Sequence, residues 1–376
     1  MTGVLPRFWS RREWLAGLVW SGHQLTRAPW PASGDRLPAV PRVNGGINVH
    51  PVRRLEGLDK LPVILPELIA LQLRGVYELG FAQLRTTLAI DADGLGRDFL
   101  AAIPYVRAAR ALGVDVLGIV SNLDTGPHVA RALGRPVARA RVVQAVAALF
   151  AQPVLPLPGV SRAGGFAVQI LNEPTRQNDL PPRDYVMRFL RPTHDDFRRW
   201  APEVPLVSAA SVGDRNGVLR MREMFRAGLE RYCDVVALHV YDQVAIRQFS
   251  GLATKPIWVT ETGIPGTDRH LDWTTSVADE LRRWLPTLER IYYYVLFDLH
   301  PNRYRLFELS GDQERGFSSR VESTALAAHL TSQVQAAQGG APSASFDSLI
   351  PDLSPYLATD DDREVMASAD LLRFIT

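Results

Sequence analysis

From Gly46 onward the chain alternates short apolar, β-branched runs with stretches of helical spacing. Gly46-Ile47-Asn48-Val49-His50 predicts a first strand, and Pro66 to Val76 a helix. Phe81 to Thr87 predicts a second strand, residues 98–112 a helix, and Val114 to Val120 a third strand. A helix rich in alanine and valine over 136–150 precedes a fourth strand, Phe166 to Leu171. The second half keeps the cadence, with helices near 184–200, 217–231 and 272–288 and a short helix before Ile257. Between them lie strands Pro205 to Ala209, Val235 to Tyr241, Ile257 to Thr260 and Ile291 to Phe297, and a last helix runs from about Ser319 to Gln338. Continuous apolar strands separated by helices are the pattern of parallel strands covered on both faces. Eight such units in about 290 residues match a (β/α)8 TIM barrel of the α/β class better than an open doubly wound sheet. No glycine-rich phosphate loop follows the first strand, which argues against a dinucleotide site.

Three segments are expected: residues 1–45 as a leader and lead-in, 46–338 as the barrel, and 339–376, rich in proline, serine and aspartate, as an extension lying on it. Ser10-Arg11-Arg12-Glu13-Trp14-Leu15 resembles a twin-arginine export signal, although the apolar run after it is short and Ala28-Pro29-Trp30-Pro31-Ala32 makes a poor cleavage site. That resemblance implies a periplasmic or extracellular protein. The other reading is an amphipathic helix with solvated arginines on a cytoplasmic protein.

Composition narrows the classes. Of 376 residues, 46% are hydrophobic and 22% charged, which excludes wholesale disorder. No run approaches the roughly 18 apolar residues of a membrane span. The one cysteine, Cys233, excludes an intrachain disulfide framework and a cysteine zinc site. Lysine occurs only at Lys60 and Lys255, so nearly all the cations are arginine. They are scattered through every segment at a net charge of +2, which fits a GC-rich bacterial genome and not a nucleic-acid surface.

Chemistry should sit where barrel strands end and βα-loops begin. Strand four ends in Leu171-Asn172-Glu173-Pro174 and strand seven in Thr260-Glu261-Thr262-Gly263. Each apolar strand thus delivers one glutamate at its C-terminal edge. Two carboxylates facing each other across a barrel mouth are what glycosidic-bond cleavage needs, one as proton donor and the other as nucleophile or base.

With these two motifs on the fourth and seventh strands, residues 46–338 resemble the clan A glycoside hydrolases, including their cellulase-like and β-xylosidase-like branches. The resemblance implies a retaining hydrolase of an oligo- or polysaccharide, with Glu173 as acid/base, Glu261 as nucleophile and no metal or cofactor. It further implies that Asn172 hydrogen-bonds the sugar 2-hydroxyl, that His239 and Tyr241 form the clan's His-x-Tyr pattern with the tyrosine on the nucleophile, and that Arg85 holds the nucleophile ionised. Each has a bland reading beside it: His239 as a satisfied core histidine, Arg85 as a mouth salt bridge. His50 could bind a sugar hydroxyl or cap its strand, and Asp298 could line the cleft. Trp258, Trp200, Trp273 and Trp284 read as packing.

One departure stands out. Many clan members end strand eight with a tryptophan that stacks on the sugar, whereas here the run is Tyr292-Tyr293-Tyr294-Val295-Leu296-Phe297-Asp298. Phe297 or Tyr294 could supply the apolar face. The departure keeps open a catalytically inactive barrel that binds a polysaccharide or an assembly partner. A transglycosylase using the same residues is a further reading. The leader is testable directly: a reporter fused to residues 1–45 should leave the cytoplasm, and changing Arg11 and Arg12 together to lysine should abolish that. A reporter retained in the cytoplasm with the native leader excludes export.

Overall fold

In the computed structural model the described residues are 43–49, 66–91, 94–95, 97–121, 128–157, 160–265, 269–296, 307–309 and 321–323, with 327, 329–330 and 332. The expected leader and C-terminal extension, and His50, Phe297 and Asp298, lie outside them. Eight parallel strands form the barrel: β1 (Val43–Asn48), β2 (Phe81–Asp91), β3 (Asp115–Ser121), β4 (Phe166–Ile170), β5 (Leu206–Val207), β6 (Val236–Val240), β7 (Ile257–Thr262) and β8 (Leu288–Tyr293). Their order is β5-β4-β3-β2-β1-β8-β7-β6. A parallel bridge between Val207 and Val235 joins the two ends, so the sheet closes on itself. This is the (β/α)8 fold that the alternation of apolar runs and helical periods predicts.

The differences from the sequence reading are local. β5 is shorter than expected because its chain turns after Val207, where Ser208 Oγ takes the backbone N–H of Ala237 on the next strand. The helix expected over 184–200 starts with a turn at Pro182–Asp184, passes through a π-helical turn at Tyr185–Leu190 and continues as Arg191–Trp200. The helix expected over 217–231 is Arg215–Arg226, stopped by Gly228 at φ +90°, a left-handed conformation that suits glycine. β8 begins and ends earlier than its apolar run suggests, yet Tyr294 and Leu296 still donate their N–H groups to the carbonyls of Thr262 and Asn48. Within the span expected as the last helix, Val321–Ser323 instead pairs antiparallel with Phe307–Leu309.

Side chains alternate along each strand, one set outward under the helices and one into the barrel. On β6, Val236, Leu238 and Val240 join the outer core while Ala237 and His239 face in. The interior is filled from the N-terminal end upward. At the bottom the Arg290 guanidinium lies 4.3 Å from the Trp258 ring centre and pairs with Asp115 at 3.2 Å. Above it Leu117, Ala167, Val207, Ala237, Trp258 and Tyr292 form an apolar layer. The Tyr292 ring crosses to β1 and lies where a side chain at Gly46 would be, so only glycine fits there. Trp258 is therefore barrel filling, as expected. Trp273 and Trp284 are half-buried against the outer core, and Trp200 is partly exposed.

Among the described residues no helix is long and apolar enough to cross a membrane. The loop after β5 presses on the C-terminal end of β6: a Cβ at Gly213 would stand 2.7 Å from the Tyr241 nitrogen and 2.8 Å from the His239 carbonyl carbon. Backbone cannot give way as a flexible side chain does. Gly213→Ala is therefore expected to cost about 1–3 kcal/mol of stability, measurable by urea unfolding, and to shift the end of β6. A variant as stable as the wild type would show that this contact relaxes freely.

Candidate active site

Above the apolar layer the interior becomes polar. Arg85, on β2, has no solvent exposure. Its Nε donates to Gln169 Oε1 at 2.9 Å, its Nη1 to Asn48 Oδ1 at 2.6 Å and Glu261 Oε1 at 2.7 Å, and its Nη2 to Asn172 Oδ1 at 2.5 Å. The ends of three strands, β1, β4 and β7, thus converge on one guanidinium carried by β2. A cation that cannot lose its proton must be met this way when it is buried.

Glu261 reaches this cation through an irregularity. Strict alternation from Trp258, which faces in, would put Thr260 in and Glu261 out. The pairing instead slips: Leu238 lies opposite Val259, but the next residue, His239, lies opposite Glu261. A matching slip appears against β8 between Val259 and Thr262. One extra residue in β7 is a β-bulge at Thr260, and it turns Glu261 inward. Asn48 Nδ2 donates to the Thr260 carbonyl at 3.0 Å and to the Tyr293 carbonyl at 3.1 Å, bridging the bulge to β8.

Glu261 Oε2 accepts the Tyr241 hydroxyl at 2.7 Å, and His239 Nε2 lies 3.5 Å from Oε1. Burial by itself pushes this carboxyl up, but the His239 and Arg85 charges and the hydrogen bonds from Tyr241 and Arg85 outweigh it and bring it from 4.5 down to about 2. The Tyr241 hydroxyl moves the opposite way, raised first by burial and then by the neighbouring carboxylate.

Glu173 follows β4 through a second irregularity. Leu171 has φ +64°, a conformation that a leucine adopts rarely. It is held there by its N–H on the Val120 carbonyl at 3.0 Å, by Gln169 Nε2 on its own carbonyl at 3.1 Å and by a fully buried side chain. The turn throws Asn172 toward Arg85 and leaves Glu173 at the start of the short helix Pro174–Gln177. Glu173 Oε1 meets His239 Nδ1 at 2.9 Å, and Oε2 accepts from Arg176 at 3.2 Å. Below the turn, the buried Tyr185 hydroxyl donates to the Ile170 carbonyl at 3.0 Å and accepts the Ala209 N–H at 2.7 Å, which ties the ends of β4 and β5 together.

Of the residues singled out in the sequence, Glu173, Glu261, Asn172, His239, Tyr241 and Arg85 come together here, whereas His50, Phe297 and Asp298 fall outside the described residues. Tyr294 is half-buried beside Tyr241. Sequence reasoning missed Asn48, Gln169 and Arg176. The first two were legible as lone amides in otherwise apolar strands. Arg176 carried no signal beyond its place in a βα-loop.

Glu173, His239 and Glu261 each offer a ligand atom, all within 4.8 Å of one another. Glu261 Oε1 already accepts from Arg85 and Oε2 from Tyr241, and a metal ion there would stand against a guanidinium whose charge is permanent. The donors suit a proton shared between buried groups better than a cation.

No family model matches the chain, and no curated protein sequence does. Among solved structures it is similar to the catalytic domain of the GH30 xylanase C from Talaromyces cellulolyticus, at 14% identity and TM-score 0.50 over 79% of this chain and 76% of that one. It is also similar to GH5_18 from Streptomyces cattleya in complex with Manβ1-4GlcNAc, at 15% and 0.51 over 81% and 82%. A third likeness is to the exo-β-1,4-mannosidase from Opitutaceae bacterium strain TAV5, at 15% and 0.50 over 84% of this chain and 64% of that chain. At these identities what is shared is the fold, a (β/α)8 barrel.

The depressed carboxyl of Glu261 makes stability depend on pH. Its folded pKa lies below its unfolded one, so its contribution is complete above about pH 4.5 and is lost as pH falls toward about 2. That contribution is about 3 kcal/mol at neutral pH. Glu261→Gln should therefore be the less stable chain at pH 7, and the two unfolding curves should converge as pH approaches 2. A gap that does not change with pH would mean that Glu261 is not held ionised.

Proposed function

We propose that the protein is a retaining glycoside hydrolase acting on an oligo- or polysaccharide. The observation that carries this reading is the unequal treatment of two buried carboxylates on one histidine. Glu261 is held ionised by His239, Arg85 and Tyr241, while Glu173 meets His239 and an exposed arginine, and one oxygen of each lies within 4.8 Å of one of the other's. So short an oxygen–oxygen approach favours a double displacement, whose carboxyl groups stand ~5–5.5 Å apart, over an inverting enzyme, whose carboxyl groups stand ~6.5–9.5 Å apart.

In the first step Glu261 attacks the anomeric carbon as the bond to the leaving oxygen breaks, and Glu173 gives that oxygen its proton. The products are a glycosyl ester on Glu261 and the free leaving group. In the second step Glu173 takes a proton from water, the water oxygen bonds to the anomeric carbon, and the ester bond to Glu261 breaks. Asn172 Oδ1 is engaged by Arg85, so its amide N–H groups are oriented toward a sugar hydroxyl. Tyr241 and Arg85 hold the nucleophile before attack and receive its charge back after hydrolysis. The xylanase and β-mannosidase names among the structural likenesses favour a β-linked substrate.

The binding-only reading draws on the run Tyr292 to Asp298 having no tryptophan where many clan members carry one. Kinetics separate the two. A panel of aryl glycosides and soluble polysaccharides, read by reducing ends, should find a substrate. On it Glu173→Ala should lose about 10²–10⁴-fold with poor leaving groups while activated aryl glycosides still form the glycosyl-enzyme. Added azide should then yield a glycosyl azide of retained configuration. Glu261→Gly with azide should yield the inverted one. If both variants fold and turn over near the wild-type rate, neither glutamate is catalytic and the binding reading stands.

A further inference from the structure

The Arg85 guanidinium has three amide partners and one carboxylate, and two of the amides do more than accept. Gln169 and Asn48 are both fully buried. Gln169 takes Arg85 Nε on its oxygen and donates from its nitrogen to the Leu171 carbonyl, two residues before Glu173. Asn48 takes Arg85 Nη1 on its oxygen and donates from its nitrogen to the Thr260 carbonyl, one residue before Glu261. Each amide therefore spans from the same cation to the irregular backbone that aims one of the two glutamates: the left-handed turn at Leu171 in one case, the bulge at Thr260 in the other.

We infer that Asn48 and Gln169 are positioning residues that lock Arg85, the bulge of β7 and the turn after β4 into one hydrogen-bonded unit, and that their neutrality keeps the whole charge of Arg85 on Glu261. The inference rests on the reading of Glu261 as nucleophile. An amide is suited to this place for two reasons. It accepts from the guanidinium and donates to a carbonyl at the same time, which a carboxylate cannot do. It also adds no negative charge, so Arg85 is not divided between two anions. Aspartate at position 48 or glutamate at position 169 would keep the shape and the acceptor, lose the donor and add a competing charge.

The test needs no substrate. The charged and titratable groups around Glu261 are Arg85 from β2, His239 from β6, Tyr241 just after β6 with Tyr294 beside it, and Glu173 from the turn after β4. With carbon-13 in the glutamate side-chain carboxyls, the Glu261 resonance, assigned by its loss in Glu261→Gln, is followed against pH in the full chain. In Gln169→Glu and Asn48→Asp, Glu261 should bind its proton about tenfold or more tightly than in the wild type, the low end of what one charge at this distance does. A wild-type titration in folded Gln169→Glu and Asn48→Asp overturns the inference. Should either chain fail to fold, Gln169→Met and Asn48→Ser add no charge and carry the test. Loosening the guanidinium should still raise Glu261 by a smaller amount, and an unmoved titration in both overturns the inference. Failure of the hydrolase reading looks different: Glu261 moves as expected while no glycoside in the panel is cleaved.

Discussion

Arg85 brings a permanent charge into the interior of the barrel with no access to water, and the polar tier above the apolar layer is arranged around satisfying it. A buried guanidinium left unpaired would cost several kcal/mol, and each of its three nitrogens has a partner: Nε has Gln169, Nη1 has Asn48 and Glu261, and Nη2 has Asn172. Only one of these partners carries charge. The pair with Glu261 is neutral overall, yet the field at Glu261 is asymmetric, because the three remaining partners are amides. With the His239 charge, that asymmetry lets a carboxylate with 7% of its surface exposed stay ionised. A buried ion pair of this kind is weak evidence for stability. Its value lies in direction, since it fixes where a negative charge stands at the mouth of the barrel.

Both glutamates arrive through backbone that departs from regular strand geometry. The bulge at Thr260 rotates Glu261 from the helix side to the barrel side, and the left-handed Leu171 turns the chain so that Asn172 and Glu173 reach the same space. A leucine in that conformation costs about 1–3 kcal/mol and persists only where its surroundings over-determine it. The hydrogen bonds at Val120 and Gln169, with Tyr185 fastened to the preceding carbonyl, supply that determination. Beneath the polar tier, Tyr292 over Gly46 and Arg290 against Trp258 and Asp115 close the barrel, so the site has a packed floor.

Much of this was legible in the residues themselves. Eight apolar runs separated by helical spacing led to the barrel because parallel strands covered on both faces admit little else, and the motifs Asn172-Glu173-Pro174 and Glu261-Thr262-Gly263 pointed to two strand ends. Period-two alternation correctly put His239 and Tyr241 on one face of β6. The same rule applied to β7 would have turned Glu261 away from the site. Nothing in Ile257-Trp258-Val259-Thr260 announces a bulge, because a bulge is a property of pairing with β6 and β8 and is settled by where those strands' hydrogen bonds fall.

Sequence by itself determined the period, the order and the two acids: these depend on local hydrophobicity and on which residue types stand at strand ends. The resemblance had already implied that Arg85 on β2 would meet Glu261 on β7, but only the tertiary structure decided that amides from β1 and β4 would hold the cation there. Those partners are separated by 37 to 176 positions in the chain. Such contacts leave no local trace, because they arise from the closure of the barrel, which brings β1 against β8 and β5 against β6 and so places the ends of β1, β4 and β7 around one buried charge.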